Sequence, residues 1–352
     1  MMKNLLNILM LCCCIFLAAC SNDDSPVDSG LQVIATSGID FSAGGGEGTI
    51  VVSANGVISA SSDQDWCSVT VEGSTVYVVA ATSTEMTSRS ALITISSESG
   101  FVEVPIVQSG LIIVMNEYNL YHSFTYEGGK LVYPFKTNTN YSIEYPEDAK
   151  SWLSYEVDEA NNQILFTVSN NVSRTPRGAE IKLVVGEKET VLGISQIEVQ
   201  REDIVGQWNC SYVSGYADGQ VLSGPISIVD DSETGLITTD LLVAQQSNAV
   251  LPLLFENGVL YLKGNTIVGI YAQSYYMQTA VMGSDGYLWL LNSIAVPQYK
   301  DGNLIYHFGY SYNENMGNVG DLGFCIRALT SSGQSAGILE TYDNFVISKA
   351  FN

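Results

Sequence analysis

The sequence predicts an all-β protein: two tandem immunoglobulin-like β-sandwiches followed by an antiparallel β-barrel or sandwich. Three observations predict it. Short apolar runs are separated by Gly, Asn, Asp and Ser turns at the close spacing of all-β domains. One set of landmark residues occurs twice, in the same order, between Leu31 and Glu198. Helical periodicity is missing from both copies. These features divide the chain into a signal segment (1–19), a linker (20–30), a first repeat (31–110), a second repeat (111–198) and a different third domain (199–352).

The N-terminus reads as a secretory signal. Met1-Met2-Lys3 gives a short basic start, and Leu5 to Ala19 is almost wholly apolar, too short and too early for a membrane span. It ends in Leu17-Ala18-Ala19-Cys20, which resembles the lipobox of bacterial lipoproteins. That resemblance implies cleavage before Cys20, a diacylglycerol on its thiol and a further fatty acyl chain, such as palmitate, on its amine. Several acyl chains anchor far better than one. Ser21-Asn22-Asp23-Asp24-Ser25 is polar and acidic. An acidic patch there resembles the surface-export signal of Bacteroidetes lipoproteins, which implies the outer face of the outer membrane, with the periplasmic face as the alternative.

Charge narrows the partners. Fourteen Lys and Arg stand against 37 Asp and Glu, a net charge of −23. Such a field repels phosphate backbones, so nucleic acid is excluded as an expected partner. Of the seven cysteines, Cys12, Cys13, Cys14 and Cys20 belong to the signal and anchor. Cys210 and Cys325 share the last domain and can pair or stay free. Cys67 aligns with Leu153 of the second repeat, so it reads as a buried apolar filler.

In the first repeat the landmarks are Gly44-Gly45-Gly46, Trp66, Arg89 and a last strand ending at Gln108. In the second they are Gly128-Gly129, Trp152, Arg177 and Gln196. Val69–Val71 and Val76–Val79 flank a Glu72-Gly73-Ser74 turn, and Leu92–Ile95 and Phe101–Val107 flank Ser96–Gly100. Ile164–Val168, Ile181–Val185 and Thr190–Ile194 are their counterparts, the last two joined by Gly186-Glu187-Lys188. A Gly-Gly turn, one mid-domain Trp, an Arg opening the penultimate hairpin and a final strand ending in Gln resemble the BACON domain. Such domains occur in Bacteroidetes surface proteins beside carbohydrate-active modules, so the resemblance implies either carbohydrate binding or a spacer. Trp66 and Trp152 read as core plugs ahead of sugar platforms. Gln108 and Gln196 read as side chains that bond neighbouring backbone.

The third domain opens with Gly206-Gln207-Trp208. A Gly-x-Trp on a first strand resembles lipocalin-like (calycin) barrels, which implies a Trp closing the barrel floor and a Gly permitting close packing. Strands are expected at 225–229, 235–239, 250–255, 259–262, 266–272, 276–282, 287–291, 304–312, 323–328 and 345–350. Glu256-Asn257-Gly258, Ser284-Asp285-Gly286 and Lys300-Asp301-Gly302 read as hairpin turns.

The search for chemistry leads away from catalysis. The two histidines, His122 and His307, lie in different domains and form no metal site together unless those domains fold back. His307, within a strand, reads as a hydrogen-bonded structural residue. No Gly-x-Ser-x-Gly elbow, phosphate loop or dinucleotide fingerprint occurs. No pair of acids stands out for glycoside hydrolysis. The Asp230-Asp231-Ser232-Glu233 turn reads as a solvated acidic turn ahead of a Ca²⁺ site. No catalytic residue, metal or cofactor is expected.

Tyrosines recur through the third domain. A tyrosine ring offers sugars a flat apolar face with a polar tip, although strands favour Tyr in any case. Tyr310 and Tyr312, on one face by alternation, lead into Asn313 and Asn315. With Tyr275 and Tyr276 they form the candidate ligand-binding set. The leading expectation is a non-enzymatic, lipid-anchored surface protein that captures glycan, beside neighbouring surface glycan-uptake proteins. The alternatives are an adhesion protein that binds protein, or a lipocalin-like binder of a small apolar ligand.

Overall fold

The computed structural model describes residues 30–244, 247–283, 286–313 and 317–351, without the side chains of 313 and 317–322. Cys20 and Asn315 lie outside the described residues. Strands dominate the described residues, whose helical elements are the 3-10 turn Glu147–Ser151 and the four-residue helix Arg201–Ile204. The first sandwich forms one compact unit, and the chain from Gly110 onward, with Ser83–Thr87, forms a second.

The two sandwiches repeat one topology. In the first, Leu31–Ser37, Gly46–Ala54, Thr75–Ala80 and Cys67–Glu72 form one sheet in that order. Asp40–Phe41, Gly100–Gln108, Arg89–Ser97 and Ser59–Ser62 form the other. In the second, Ile113–Met115, Gly129–Thr137, Gln163–Val168 and Leu153–Asp158 match the first sheet. Tyr121–Phe124, Lys188–Gln196, Arg177–Val185 and Tyr141–Glu144 match the other. Each copy has one parallel pairing, of its short second strand with its last strand. Alternation sends Ile50, Val76, Val78, Ile93, Ile95 and Ile106 into the first core, all fully buried. Cys67 joins that core as a free thiol, as its alignment with Leu153 predicts.

The repeated landmarks converge on one spot in each copy. Arg89 lies opposite Gln108 in the strand register, and its Nε donates to Gln108 Oε1 at 2.7 Å. Gln108 is fully buried, and its Nε2 donates to the carbonyls of Ser42, Ala43 and Ala81. The Arg89 guanidinium sits 4.4 Å above the Trp66 ring. The second copy reproduces this: Arg177 Nε donates to Gln196 Oε1 at 2.8 Å, and Arg177 sits 4.8 Å above Trp152. Gln196 Nε2 donates to the carbonyls of Thr125, Tyr126 and Ser169. The glycine turn completes the cluster. A Cβ on Gly45 would stand 2.3 Å from the Ala80 carbonyl, and one on Gly128 2.3 Å from that of Val168, both at positive φ. The repeat signature is therefore a buried polar pin. Trp152 is buried and Trp66 half-buried, each capped by its arginine.

The third domain is a coiled antiparallel sheet whose pairings close on themselves. Gly206–Ser214 pairs with Gln220–Asp231, and hairpins continue through Gly235–Val243, Ser247–Glu256 and Val259–Leu262. Ser293–Ala295, Tyr310–Asn313, Gly317–Leu329 and Ser335–Ala350 follow, and the last pairs back to Gly206–Ser214. Asn257 and Gly258, and likewise Asp301 and Gly302, all have positive φ, the two-residue turn that matches strand twist. The expected strand 304–312 is broken between His307 and Tyr310, and the expected 345–350 is the tail of a 16-residue strand. Its first half, Ser335–Tyr342, lacks the period-two alternation that marks a strand. Ser293–Ala295 and Pro297–Lys300 were too short to show any alternation.

Inside, Phe324 stacks on Tyr342 at 4.4 Å, and Tyr212, Phe308 and Phe345 pack around them. Each buried ring contributes about 1.5–3 kcal/mol. Trp208 is buried, and its Nε1 donates to the Ile204 carbonyl at 2.7 Å. Gly206 departs from its expected role. Its φ is +124° and a Cβ there would meet nothing within 4 Å, so glycine serves the backbone angle and not close packing.

Cys210 and Cys325 are free and buried, one of the two states the sequence left open. Strand Ser335–Ala350 separates theirs: Cys210 lies opposite Ile347 and Cys325 opposite Thr341. Those partners are roughly 20 Å apart along the strand, while a disulfide needs its Cα atoms within about 7 Å.

Candidate functional site

A cleft of about 590 Å³ opens where the second sandwich meets the third domain. Small residues make the meeting possible. Gly178 lies in the sandwich strand Arg177–Val185, and a Cβ there would stand 2.0 Å from the Tyr299 carbonyl. A Cβ on Gly193 would stand 2.6 Å from Gln298 Oε1. Between them, the Tyr299 amide donates to Ser195 Oγ at 2.9 Å. Glycine inside a strand often marks such a close backbone approach. The connecting chain is also bound in, because Ile197, Val199 and Ile204 are buried in the third domain's core.

Aromatic walls and polar groups line the cleft. Tyr121 of the sandwich packs against His307 of the third domain, ring centroids 5.0 Å apart. The domains thus do fold back, but it is Tyr121 that reaches His307. His122 points from the opposite face of its strand, towards the side on which Phe124 packs against the sandwich core. Tyr299 stands half-buried opposite. Lys300 Nζ reaches Glu180 Oε1 at 2.6 Å across the junction. Burial, and then the charge of Glu180, raise the pKa of Tyr121, so its hydroxyl stays a neutral donor. Burial lowers the pKa of His307 and favours neutral imidazole. His307 is held by ring packing on Tyr121. The volume is that of a small-molecule site, and half-buried aromatic rings beside hydroxyl, amide and carboxylate groups suit a polyhydroxylated ligand.

The tyrosines chosen from sequence fall elsewhere. Tyr275 and Tyr276 are exposed at a hairpin, opposite Tyr271 and Ile270. Tyr310 and Tyr312 sit on another strand, with Tyr312 57% exposed. Tyr276 faces Leu329 and Tyr310 faces Gly320, nine positions along one strand, or roughly 30 Å. The structure therefore does not gather the set into one site, and neither pair lines the cleft. Asn313 ends the second strand, and only its backbone is described.

The acidic turn is occupied by its own neighbours. Asp230 forms a two-pronged ion pair with Arg201 at 2.8 Å. Asp231 Oδ1 accepts from the amides of Glu233 and Thr234 and from Thr234 Oγ1. Among the described residues no cluster of three or more His, Cys, Asp or Glu could hold a metal ion.

Sequence reasoning missed the cleft because its walls come from six separated stretches. One signal was available. The second copy has Gly178 and Gly193 within strands, where the first has Ser90 and Pro105.

The BACON family model, described as "Putative binding domain, N-terminal", matches residues 56–109 and again residues 140–197. Both segments include the Trp, Arg and Gln of the pin. No curated protein matches the chain. Similar solved structures include a three-domain I-band fragment of titin, 8% identical, covering 71% of this chain and 92% of its own, with a TM-score of 0.30. A chimeric titin Z1Z2 is 6% identical and covers 47% of this chain and 95% of its own, with a TM-score of 0.29. An endo-fucoidan hydrolase of glycoside hydrolase family 107 is 8% identical and covers 64% of this chain and 40% of its own, with a TM-score of 0.26.

Proposed function

We propose that this chain is a non-enzymatic surface lipoprotein that holds carbohydrate in the cleft between the second sandwich and the third domain. The observation that carries the reading is that cleft: half-buried Tyr121 and Tyr299, with Ser195, Gln298 and the Lys300–Glu180 pair around them. Ring faces take the apolar faces of a sugar, and the polar groups take its hydroxyls. A binding role agrees with the family description of both repeats. The cleft's carboxylates, Asp148, Glu180 and Asp301, are exposed, and Glu180 is committed to Lys300. A glycosidase acid needs a shielded setting that keeps it protonated. The lipobox-like Leu17-Ala18-Ala19-Cys20 and the acidic residues behind it support a lipid anchor on the outer membrane, facing outward.

The test uses the full mature chain on a glycan array. Binding that falls at least tenfold in Tyr121→Ala and Tyr299→Ala supports the reading. Loss in Tyr312→Ala with the cleft variants unaffected moves the site to the exposed strand, and release of sugar products makes the protein an enzyme. Cys20→Ser should move the protein from the membrane to the soluble fraction. Survival of the wild type on protease-treated intact cells would overturn surface exposure.

A further inference from the structure

We propose, resting on the carbohydrate reading, that the cleft selects amine-bearing or uncharged saccharides and rejects sulfated and uronic ones. Both cations at the cleft are already spent. Lys300 is paired with Glu180 at 2.6 Å. The Arg177 guanidinium donates to Gln196 Oε1 and to the Ser169 carbonyl and lies on Trp152. Turning Arg177 towards a ligand anion would break the pin of the sandwich, and the charge of Lys300 is already balanced by Glu180. The carboxylates of Asp148 and Asp301 face the same space, and among the described residues neither belongs to an ion pair. The groups lining the cleft therefore sum to one net negative charge: Arg177 and Lys300 against Asp148, Glu180 and Asp301. The chain around them carries −23. Neutral His307 adds no positive charge to receive an anion.

What remains for recognition is uncharged or negative. Ser195 Oγ accepts the Tyr299 amide and keeps its own proton to donate. The Tyr121 hydroxyl, kept neutral by burial, also has a proton to donate. A sulfate or uronate brought here meets two free carboxylates and no free cation, whereas a protonated amino sugar finds two acceptors.

The experiment is a glycan array carrying neutral, amine-bearing, sulfated and uronic features, probed with the full mature chain at low and at moderate salt. Hits confined to neutral and amine-bearing features are expected. The Asp148→Asn/Asp301→Asn double variant should then gain roughly fivefold on sulfated features at low salt, because two like charges leave the cleft. It should keep its neutral hits, which shows it is folded. Sulfated or uronic hits that vanish in Tyr121→Ala would overturn the charge selection and leave the carbohydrate reading standing. Failure to bind any feature would overturn both.

Discussion

Replacing Gln196 by Ala is the most direct test of why the repeat carries the residues it does. Gln196 is fully buried, and its Nε2 faces three carbonyls at 3.0 Å with two protons to share. Its Oε1 accepts from Arg177. Truncation removes about two neutral hydrogen bonds and one to a charged donor, and it leaves buried carbonyls without partners. At about 1 kcal/mol for each neutral bond and about 2 for the charged one, the loss is about 4 kcal/mol, or about 3 if water enters. That corresponds to a more than hundredfold rise in the opening equilibrium of the second sandwich. Amide hydrogen exchange by mass spectrometry on the full chain reads it locally. Peptides covering 163–168 and 177–185 should lose protection, while those of the first sandwich stay unchanged. Gln108→Ala should give the mirror image. A loss below about 1 kcal/mol, or equal loosening of both sandwiches by either variant, would refute the pin as the stabilising centre of each module.

Three further outcomes follow from the same geometry. Burial lowers the His122 pKa from 6.5 to about 4 and so keeps the ring neutral in the fold. Between those values the unfolded chain binds a proton that the folded chain does not, so stability falls as pH drops from about 6.5 to about 4, by on the order of 3 kcal/mol, with His307 acting in the same direction. Urea titrations across this range should show the slope, and it should flatten in His122→Gln; an unchanged slope would remove His122 as its source. Cys67, Cys210 and Cys325 are buried thiols, with the pKa of Cys325 pushed up to about 12 by burial. In a Cys20→Ser chain without the signal, all three should react with a thiol reagent only after unfolding, and a mass two hydrogens low would reveal a disulfide instead. Gly178→Ala drives a methyl group to 2.0 Å from the Tyr299 carbonyl, so the sandwich should undock and cleft binding should fall at least tenfold. Exchange at the Tyr299 amide should rise while the sandwich core stays protected; undiminished binding would refute the cleft as the site.

Much of the fold was legible because its signals are local. Period-two alternation and Asn-Gly or Asp-Gly turns mark strands without reference to anything distant. The strand Val259–Leu262 and the turns at Asn257-Gly258 and Asp301-Gly302 are read directly from the sequence. Errors arose where pairing overrides composition. Ser335–Thr341 lacks apolar/polar alternation, yet it is a strand because Gly317–Leu329 supplies its partners. The candidate site was less legible. Tyr275, Tyr276, Tyr310 and Tyr312 share a composition but not a place, because a long strand holds the two pairs apart. Cleft residues such as Tyr121, Ser195 and Tyr299 become neighbours only through domain docking, which no local pattern encodes.

The repeat itself shows how a duplicated module acquires a task. What folding requires is the same in both copies: the glycine turn, the tryptophan under an arginine, and the glutamine that ties arginine to backbone. The outward face of the last hairpin is free to change, because nothing in the core depends on it. There the copies differ. Ser90, Pro105 and Val107 in the first stand where Gly178, Gly193 and Ser195 stand in the second. Val107 is left 45% exposed, whereas Ser195 is buried and bonded to Tyr299. Two side chains reduced to hydrogen and one exchanged for a hydroxyl turn an ordinary sandwich face into a docking surface, because backbone can approach backbone only where no Cβ intervenes. A chimera carrying the first copy in the second position should therefore keep the pin and its stability and lose the cleft. The two copies share one fold for one reason and differ in surface for another, and only the second reason bears on what the protein binds.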